Sequence, residues 1–179
     1  MDTIKGNVET GPLTPLFEAQ LQYQSDMEVV ESAETREGEL VGSGDGRVSG
    51  NLLSGNARWS MYAGNCAYVF VQAGVEPPPG QDLCTVHPSG VIATDDGAEV
   101  WFDAKGYGLR GADQSHPYLW VLTMAVQFTT TDRRYQWLNT TLGVMVSEFD
   151  ERAGRARWQA FGTKAVPVLT RSSGASAET

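Results

Sequence analysis

Three aspartates and two hydrogen-bonding residues are the groups in this sequence that could do acid/base chemistry. Asp95 and Asp96 are adjacent, Asp103 follows them, and Tyr135 and Asn139 lie further along the chain. A carboxylate in apolar surroundings has a raised pKa and can exchange a proton near neutral pH. A tyrosine hydroxyl and an asparagine amide can donate hydrogen bonds to a carbonyl, enol or epoxide oxygen. The sequence therefore predicts these five residues as catalytic.

Each of these residues also has a purely structural interpretation. Asp95 and Asp96 lie in Thr94-Asp95-Asp96-Gly97, and aspartates are common in turns because they bond the local backbone. Asp103 shares a strand face with Trp101, and either that face lines a pocket or it faces solvent. In the second case Asp103 is an ordinary surface charge.

Aromatic side chains are the larger signal. The chain has five tryptophans, which could simply build a core. Aromatic walls with a few polar groups are also typical of small-molecule sites. We predict the walls of a ligand pocket from Trp59, Tyr62, Trp101, Tyr107, Trp120 and Trp137.

Cofactor and metal sites lack support in the sequence. The only histidines are His87 and His116, and a catalytic zinc site usually takes three protein ligands. Each precedes a proline, so we expect both in loops or at strand ends, either as ordinary polar residues or as a general acid or base. The glycine-rich run Gly42–Gly46 lacks the lysine of a phosphate-binding loop, and no Gly-x-Ser-x-Gly motif is present. We expect no cofactor and no metal.

Strand patterns dominate the elements that must position these residues. Residues 98–106 alternate strictly, 16–23 alternate in part, and 119–130 form a long apolar strand. We predict two short extended pieces in 86–93, interrupted by Pro88 and Gly90, and a strand region over 135–149. In that region Tyr135, Trp137 and Asn139 would share one strand face.

Eight to ten short strands joined by turns, with no convincing helix, predict an all-β fold. The expected architecture is one closed antiparallel β-barrel around a central small-molecule pocket, as in lipocalins. Closure removes the unpaired strand edges that otherwise promote aggregation. We expect an N-terminal tail at 1–12, the barrel domain at 13–166 and a disordered C-terminal tail at 167–179.

Charge excludes several partners. The 179 residues carry a formal net charge of −9, whereas nucleic-acid binding needs a basic face, and anionic membranes are disfavoured for the same reason. The stretch 26–39 is acidic and predicts a solvated loop. The N-terminus does not resemble a signal peptide, and no run of about 18 apolar residues occurs. These features predict a cytoplasmic protein that binds neither nucleic acid nor membrane.

Several motifs together resemble the family known as domain of unknown function 3237. They are Leu13–Phe17, Gly44-x-Gly46-Arg47-Val48, Leu53-Ser54-Gly55 with Trp59, Thr94–Ala98, and Asp132-Arg133-Arg134-Tyr135-x-Trp137-Leu138-Asn139. The resemblance implies a barrel related to the allene oxide cyclase group, whose members bind hydrophobic small molecules and in some cases isomerise them without a cofactor. It also implies a homodimer. Arg58 stands where that family often has aspartate.

Two functions follow from these features. The first is a cofactor-independent isomerase, lyase or cyclase acting on a small hydrophobic oxygenated substrate such as a terpenoid, polyketide or aromatic compound. The second is a non-catalytic carrier or sensor of the same kind of ligand. A titratable group inside the pocket favours the enzyme, and a pocket without one favours the carrier. A barrel filled by its own side chains favours a third, structural role.

Overall fold

The computed structural model describes residues 13–24, 28–31, 38–65, 82–110, 119–150 and 152–163. Nine strands and one short 3₁₀-helix account for most of them. The strands are β1 (Thr14–Tyr23), β2 (Glu28–Glu31), β3 (Gly38–Ser49), β4 (Gly55–Asn65), β5 (Asp82–Thr94), β6 (Glu99–Arg110), β7 (Leu119–Thr129), β8 (Gly143–Asp150) and β9 (Arg155–Gly162), and the helix spans Gln136–Thr140.

Eight of the strands close into an antiparallel barrel. Neighbours follow chain order from β3 through β9, and β1 pairs with both β9 and β3 to complete the ring. Strand β2 pairs with β3 and extends the sheet beside the barrel. The prediction of a closed antiparallel β-barrel of eight to ten strands is therefore confirmed. The predicted tails and the acidic stretch lie largely outside the described residues.

Alternation along the strands separates the core from the surface. On β6, β7 and β8 every second residue is buried, and the barrel interior holds side chains such as Phe102, Met124 and Met145. A one-residue bulge in β1 between Pro15 and Phe17 places two adjacent residues, Leu16 and Phe17, in the core. Among the described residues, no helix is long and apolar enough to cross a membrane.

The loop predicted over 26–39 is wrong in part, since residues 28–31 form β2 and β3 begins at Gly38. Two predicted strand regions also differ from the structure. Strand β5 is continuous across Pro88 and Gly90, which pair with Met61 and Trp59 of β4. Proline cannot donate to the ladder, and β5–β6 pairing correspondingly skips from Val86 to Ser89. The predicted strand over 135–149 is wrong in its first part, since residues 136–140 form the 3₁₀-helix and β8 begins only at Gly143.

Candidate functional site

The eleven residues predicted for the site lie in three different places. Some face solvent from the outside of the barrel, and some lie at one of its two ends. Trp59 alone of the eleven is buried inside. One end carries the β5–β6 turn (Thr94–Ala98), the loop Gly50–Ser54 and the connection between β7 and β8, and we call it the turn end.

The outer face of the barrel holds four of the predicted residues. Trp101 and Tyr107 project outward from β6 and are 57% and 56% exposed. Tyr62 on β4 and Asp103 on β6 are exposed as well. The interpretation in which this face of β6 lines an internal pocket is corrected by the structure. The inward positions belong instead to Ala98, Val100, Phe102 and Ala104, because they are the apolar set of that strand.

Asp103 has a partner on the neighbouring strand. Its Oδ1 lies 2.5 Å from Nε2 of His87, and both side chains are substantially exposed. His87 lies within β5 rather than in a loop. Water screens a pair in this position, so Asp103 lacks the desolvation that would prepare a carboxylate for acid/base work.

The turn end brings Asp95 to β3. The turn itself has the predicted chemistry, with Gly97 at φ 87° and the Gly97 amide donating to the Thr94 carbonyl at 3.0 Å. Arg47 donates to both carboxylate oxygens of Asp95 at 2.6 Å each. These bonds hold the pKa of Asp95 below its usual range. Asp95 therefore forms an ion pair that connects the β5–β6 turn to β3.

Asp96 and Tyr135, two predicted catalytic residues, are in direct contact. The Asp96 carboxylate accepts bonds from the Thr94 hydroxyl at 2.6 Å, from Arg134 Nη1 at 2.8 Å and from the Tyr135 hydroxyl at 3.0 Å. Those bonds, that from Thr94 most of all, lower the pKa of Asp96. Desolvation, and then the bond to Asp96, raises the pKa of Tyr135. Asp96 thus stays ionised and Tyr135 stays protonated at neutral pH, so proton transfer between them is disfavoured.

Asn139 is a structural residue in this geometry. Its Oδ1 accepts from the Thr130 amide at 2.8 Å, and its Nδ2 donates to the Thr130 carbonyl at 3.0 Å. These two bonds take the place of backbone pairing with a neighbouring strand just after β7, and they hold the 3₁₀-helix there. Because 136–140 is helical, Tyr135, Trp137 and Asn139 do not share a strand face, and the arrangement predicted for them is wrong.

Trp137 lines a cleft of about 200 Å³ at the turn end. The cleft is apolar, with Leu16 and Leu52 in its wall, and it carries three threonines. Two of their hydroxyls bond to the backbone, Thr141 to the Trp137 carbonyl and Thr163 to the Leu142 carbonyl. The cleft is smaller than the roughly 300–1,000 Å³ of typical ligand pockets, so we do not place the main site there.

Trp120 lies at the opposite end of the barrel. It is half-buried, packs against the core, and has the Arg110 guanidinium 4.7 Å from the centre of its ring. This is the geometry of a cation–π contact. Trp120 therefore borders the interior without being part of its fully buried wall.

Inside the barrel, five aromatic side chains form a continuous cluster. Phe149 stacks on Tyr23 at 4.2 Å between ring centroids, and Tyr23 meets Trp59 at 4.4 Å. Trp59 lies 5.8 Å from Trp158, which meets Phe102 at 5.7 Å. We call these five residues the aromatic cluster. Trp59 is the one predicted wall residue that belongs to the cluster, and the ligand pocket predicted from the aromatic residues stays a prediction.

Three buried polar atoms near this cluster lack a hydrogen-bond partner among the described residues: Trp59 Nε1, Trp158 Nε1 and Ser147 Oγ. Ser147 on β8 lies directly opposite Trp158 on β9. A buried donor without a partner costs about 1–3 kcal/mol. A further hydrogen-bond partner for these atoms would therefore be favourable.

Among the described residues, no charged side chain is buried in the interior. The buried polar residues there are Thr94, Thr130, Thr141 and Ser147, and none is charged. The Tyr23 phenol donates weakly to Met61 Sδ at 3.7 Å, and burial raises the pKa of Tyr23. Tyr23 is thus a neutral phenol inside the barrel. In the described ranges, no group of three or more His, Cys, Asp or Glu side chains could hold a metal ion.

Sequence reasoning missed Tyr23, Ser147 and Trp158 as site residues. The alternation of 16–23 placed Tyr23 with Phe17, Ala19 and Leu21 on one face, which was the available signal. Trp158 stood out by its alternation with Arg157 and Gln159 in the same way. Ser147 gave no local signal, because a serine within a strand is unremarkable until its neighbours are known.

The ion pairs of the turn end predict a loss of stability in acid. Arg134 also bonds Asp132 through two nitrogens and lowers the pKa of Asp132 to about 2. A folded-state pKa below the unfolded value stabilises the protein above the unfolded pKa, and that stability is lost as pH falls. We expect the Tm to fall between about pH 4 and pH 2. The fall should be shallower in Arg134→Gln, measured by thermal denaturation across this range.

The neighbouring Arg133→Gln is the matched control, since Arg133 is exposed and is not part of the Asp96–Arg134–Asp132 group. It should keep the acid profile of the wild type. Equal slopes in wild type and Arg134→Gln would show that these pairs do not couple to folding.

Comparison with known proteins shows the fold and no more. No family model matches the chain, and no curated protein matches it. A β-barrel-like protein from Acinetobacter baumannii superposes with a TM-score of 0.69 at 17% identity, covering 86% of this chain and 96% of its own. A conserved protein of unknown function from Rhodopseudomonas palustris gives 0.64 at 18%, covering 86% and 99%.

A third similar structure is described as an enzyme from Penicillium herquei, with a TM-score of 0.55 at 15% identity, covering 84% of this chain and 93% of its own. At these identities the likeness concerns the barrel alone. It is consistent with a barrel family of uncharacterised proteins, and the resemblance to domain of unknown function 3237 stays a prediction.

Proposed function

We propose that this barrel binds a small, neutral, hydrophobic molecule in its interior, against the aromatic cluster. The observation that carries the proposal is the cluster itself, five aromatic rings in mutual contact next to buried polar atoms without partners. Aromatic walls with a few polar groups are typical of sites for small molecules. Barrels of eight strands are wide enough to hold one small ligand.

The interior side chains pack closely in this structure, an observation that taken alone favours the structural role, so a ligand has to displace some of them. Met61, Met124 and Met145 are buried inside the barrel. Methionine is unbranched and flexible, and methionine-rich surfaces repack around varied ligands. We infer that movement of these side chains makes room for the ligand.

We favour a carrier or sensor role over an enzyme in which aspartates act as the acid and base. Asp95 and Asp96 are ion-paired at the turn end, and Asp103 lies on the outer face. Lowered pKa values keep Asp95 and Asp96 ionised. Both side chains are exposed at the turn end and are not buried beside the aromatic cluster. A carboxylate that stays hydrated or salt-bridged is a weak general base.

We expect saturable quenching of tryptophan fluorescence when the protein is titrated with small epoxides, enones and phenols. Trp59 and Trp158 supply the signal because they lie in the interior. The exposed Trp101 is the matched control, and Trp101→Phe should retain the saturable component. Quenching that is linear for every compound would argue against an interior site and favour a structural role.

A cofactor-independent isomerase, lyase or cyclase is the second candidate, and Tyr23 is the observation that favours it. A buried phenol with a raised pKa stays protonated and can donate a hydrogen bond or a proton to an oxygen that develops negative charge. The enzyme from Penicillium herquei shares the barrel fold, which is support by analogy alone.

The catalytic candidate is tested by incubating each ligand that binds with the protein and separating the products by chromatography, because an isomer has the mass of its substrate. We expect Tyr23→Phe to lower turnover by about 10²-fold or more while ligand binding persists. If the ligand is unchanged after incubation with wild-type protein, the carrier role is the hypothesis that remains. Unchanged turnover in Tyr23→Phe would remove Tyr23 from the mechanism.

A further inference from the structure

We infer that the ligand of this barrel carries a neutral oxygen acceptor, such as a ketone carbonyl, which accepts hydrogen bonds from Ser147 and Trp158. This inference rests on the proposed interior site and adds the chemical class of its ligand. It is carried by the identity of the atoms that lack partners, two indole N–H groups and one hydroxyl.

The chemistry of these groups selects an acceptor. An indole N–H can only donate, and a serine hydroxyl can donate as well as accept. A hydrocarbon would leave the two N–H groups without partners in an apolar environment, whereas an oxygen with two lone pairs can accept from more than one of them.

The positions of Ser147 and Trp158 allow both to contact one ligand group. They face each other across the β8–β9 pair, and both are buried. Directly opposite residues of an antiparallel pair have Cβ atoms about 4.5–5.5 Å apart, so their side chains are neighbours. Trp59, whose ring centroid lies 5.8 Å from that of Trp158, carries a further buried N–H without a partner.

Charge excludes a carboxylate ligand. Among the described residues, no lysine, arginine or histidine is buried in the interior. An ionised group without a counter-charge is strongly disfavoured in an apolar site. The acceptor oxygen therefore belongs to a neutral group, and the planar rings of the cluster favour an aromatic or otherwise unsaturated ligand.

Three small compounds of similar shape test this inference by calorimetric titration: 1-indanone, indane and indane-2-carboxylate. We expect wild-type protein to bind 1-indanone about threefold to tenfold more tightly than indane, as one or two net hydrogen bonds allow. Binding of the carboxylate should not be detected. Equal affinity for 1-indanone and indane would overturn this inference and leave the interior site standing. If no compound binds, the interior site fails as well.

Ser147→Ala isolates the hydroxyl with almost no change in shape. We expect it to lower the affinity for 1-indanone severalfold and to leave the affinity for indane unchanged. Without ligand its Tm should equal or exceed that of the wild type, because an unsatisfied hydroxyl has been removed. Ser60→Ala, on the outer face of β4, is the control and should change neither affinity.

Trp158→Phe is the second variant, since it removes the other donor and keeps an aromatic ring. It should reduce the preference for 1-indanone over indane. A preference that survives in both Ser147→Ala and Trp158→Phe would contradict the assignment of these two donors.

Discussion

Replacing Trp158 with alanine is expected to lower the free energy of unfolding by about 3–5 kcal/mol. Trp158 is 2% exposed and contacts the rings of Trp59 and Phe102. Truncation removes the buried indole and leaves a cavity that the rigid barrel closes only in part. Chemical denaturation of wild type and variant measures the difference.

Trp101→Ala is the matched control, because Trp101 is 57% exposed on the outer face. It should change the free energy of unfolding by no more than about 0.5 kcal/mol. Comparable losses in the two variants would mean that Trp158 is not part of a packed interior.

Trp158→Ala also connects packing with ligand binding. A dry apolar cavity can bind an aromatic molecule of matching size, and binding to the folded state alone raises stability by mass action. Added indole should therefore recover part of the stability lost in Trp158→Ala and should have less effect on Trp101→Ala. Recovery would show that the space occupied by the Trp158 side chain can hold a small aromatic molecule.

Gly44→Ala is expected to lower the free energy of unfolding by about 1–3 kcal/mol. A Cβ at this position would clash with the Gln22 carbonyl oxygen and would lie 2.7 Å from Cζ2 of Trp59. The first contact is with backbone, which cannot move without disturbing the β1–β3 pairing that closes the barrel. The second would displace the indole from the aromatic cluster.

Denaturation and the tryptophan emission maximum measure these two effects separately. Gly64→Ala is the control, since a Cβ there would approach only side-chain atoms, the nearest at 3.1 Å. It should leave both the stability and the emission close to wild type. A neutral Gly44→Ala would show that β1 and β3 separate easily.

The two groups of conspicuous residues have different roles. The ion pairs at the turn end connect β3, the β5–β6 turn and the segment after β7, so they fix the loops at that end of the barrel. The aromatic cluster lies inside, where charge is absent from the described residues. The turn end therefore accounts for Asp95, Asp96 and Asp132, and the interior accounts for the proposed ligand.

Several elements of this fold follow from local sequence. The alternation of 98–106 predicted β6, and Asp96-Gly97 predicted the turn that precedes it. Both depend only on neighbouring residues, since strand alternation has a period of two and glycine permits positive φ. The segment 135–140 was predicted less well, because its 3₁₀-helix depends on Asn139 reaching the backbone of Thr130.

By itself, then, the sequence determined the strand pattern, the turn chemistry, the excess of negative charge and the presence of many aromatic rings. Tertiary structure alone decided which rings meet. Barrel closure turned Trp59 inward and Trp101 outward although both lie on regular strands, and the β8–β9 register placed Ser147 opposite Trp158. The reason is physical: alternation divides a strand into two faces, but register and closure decide what each face touches.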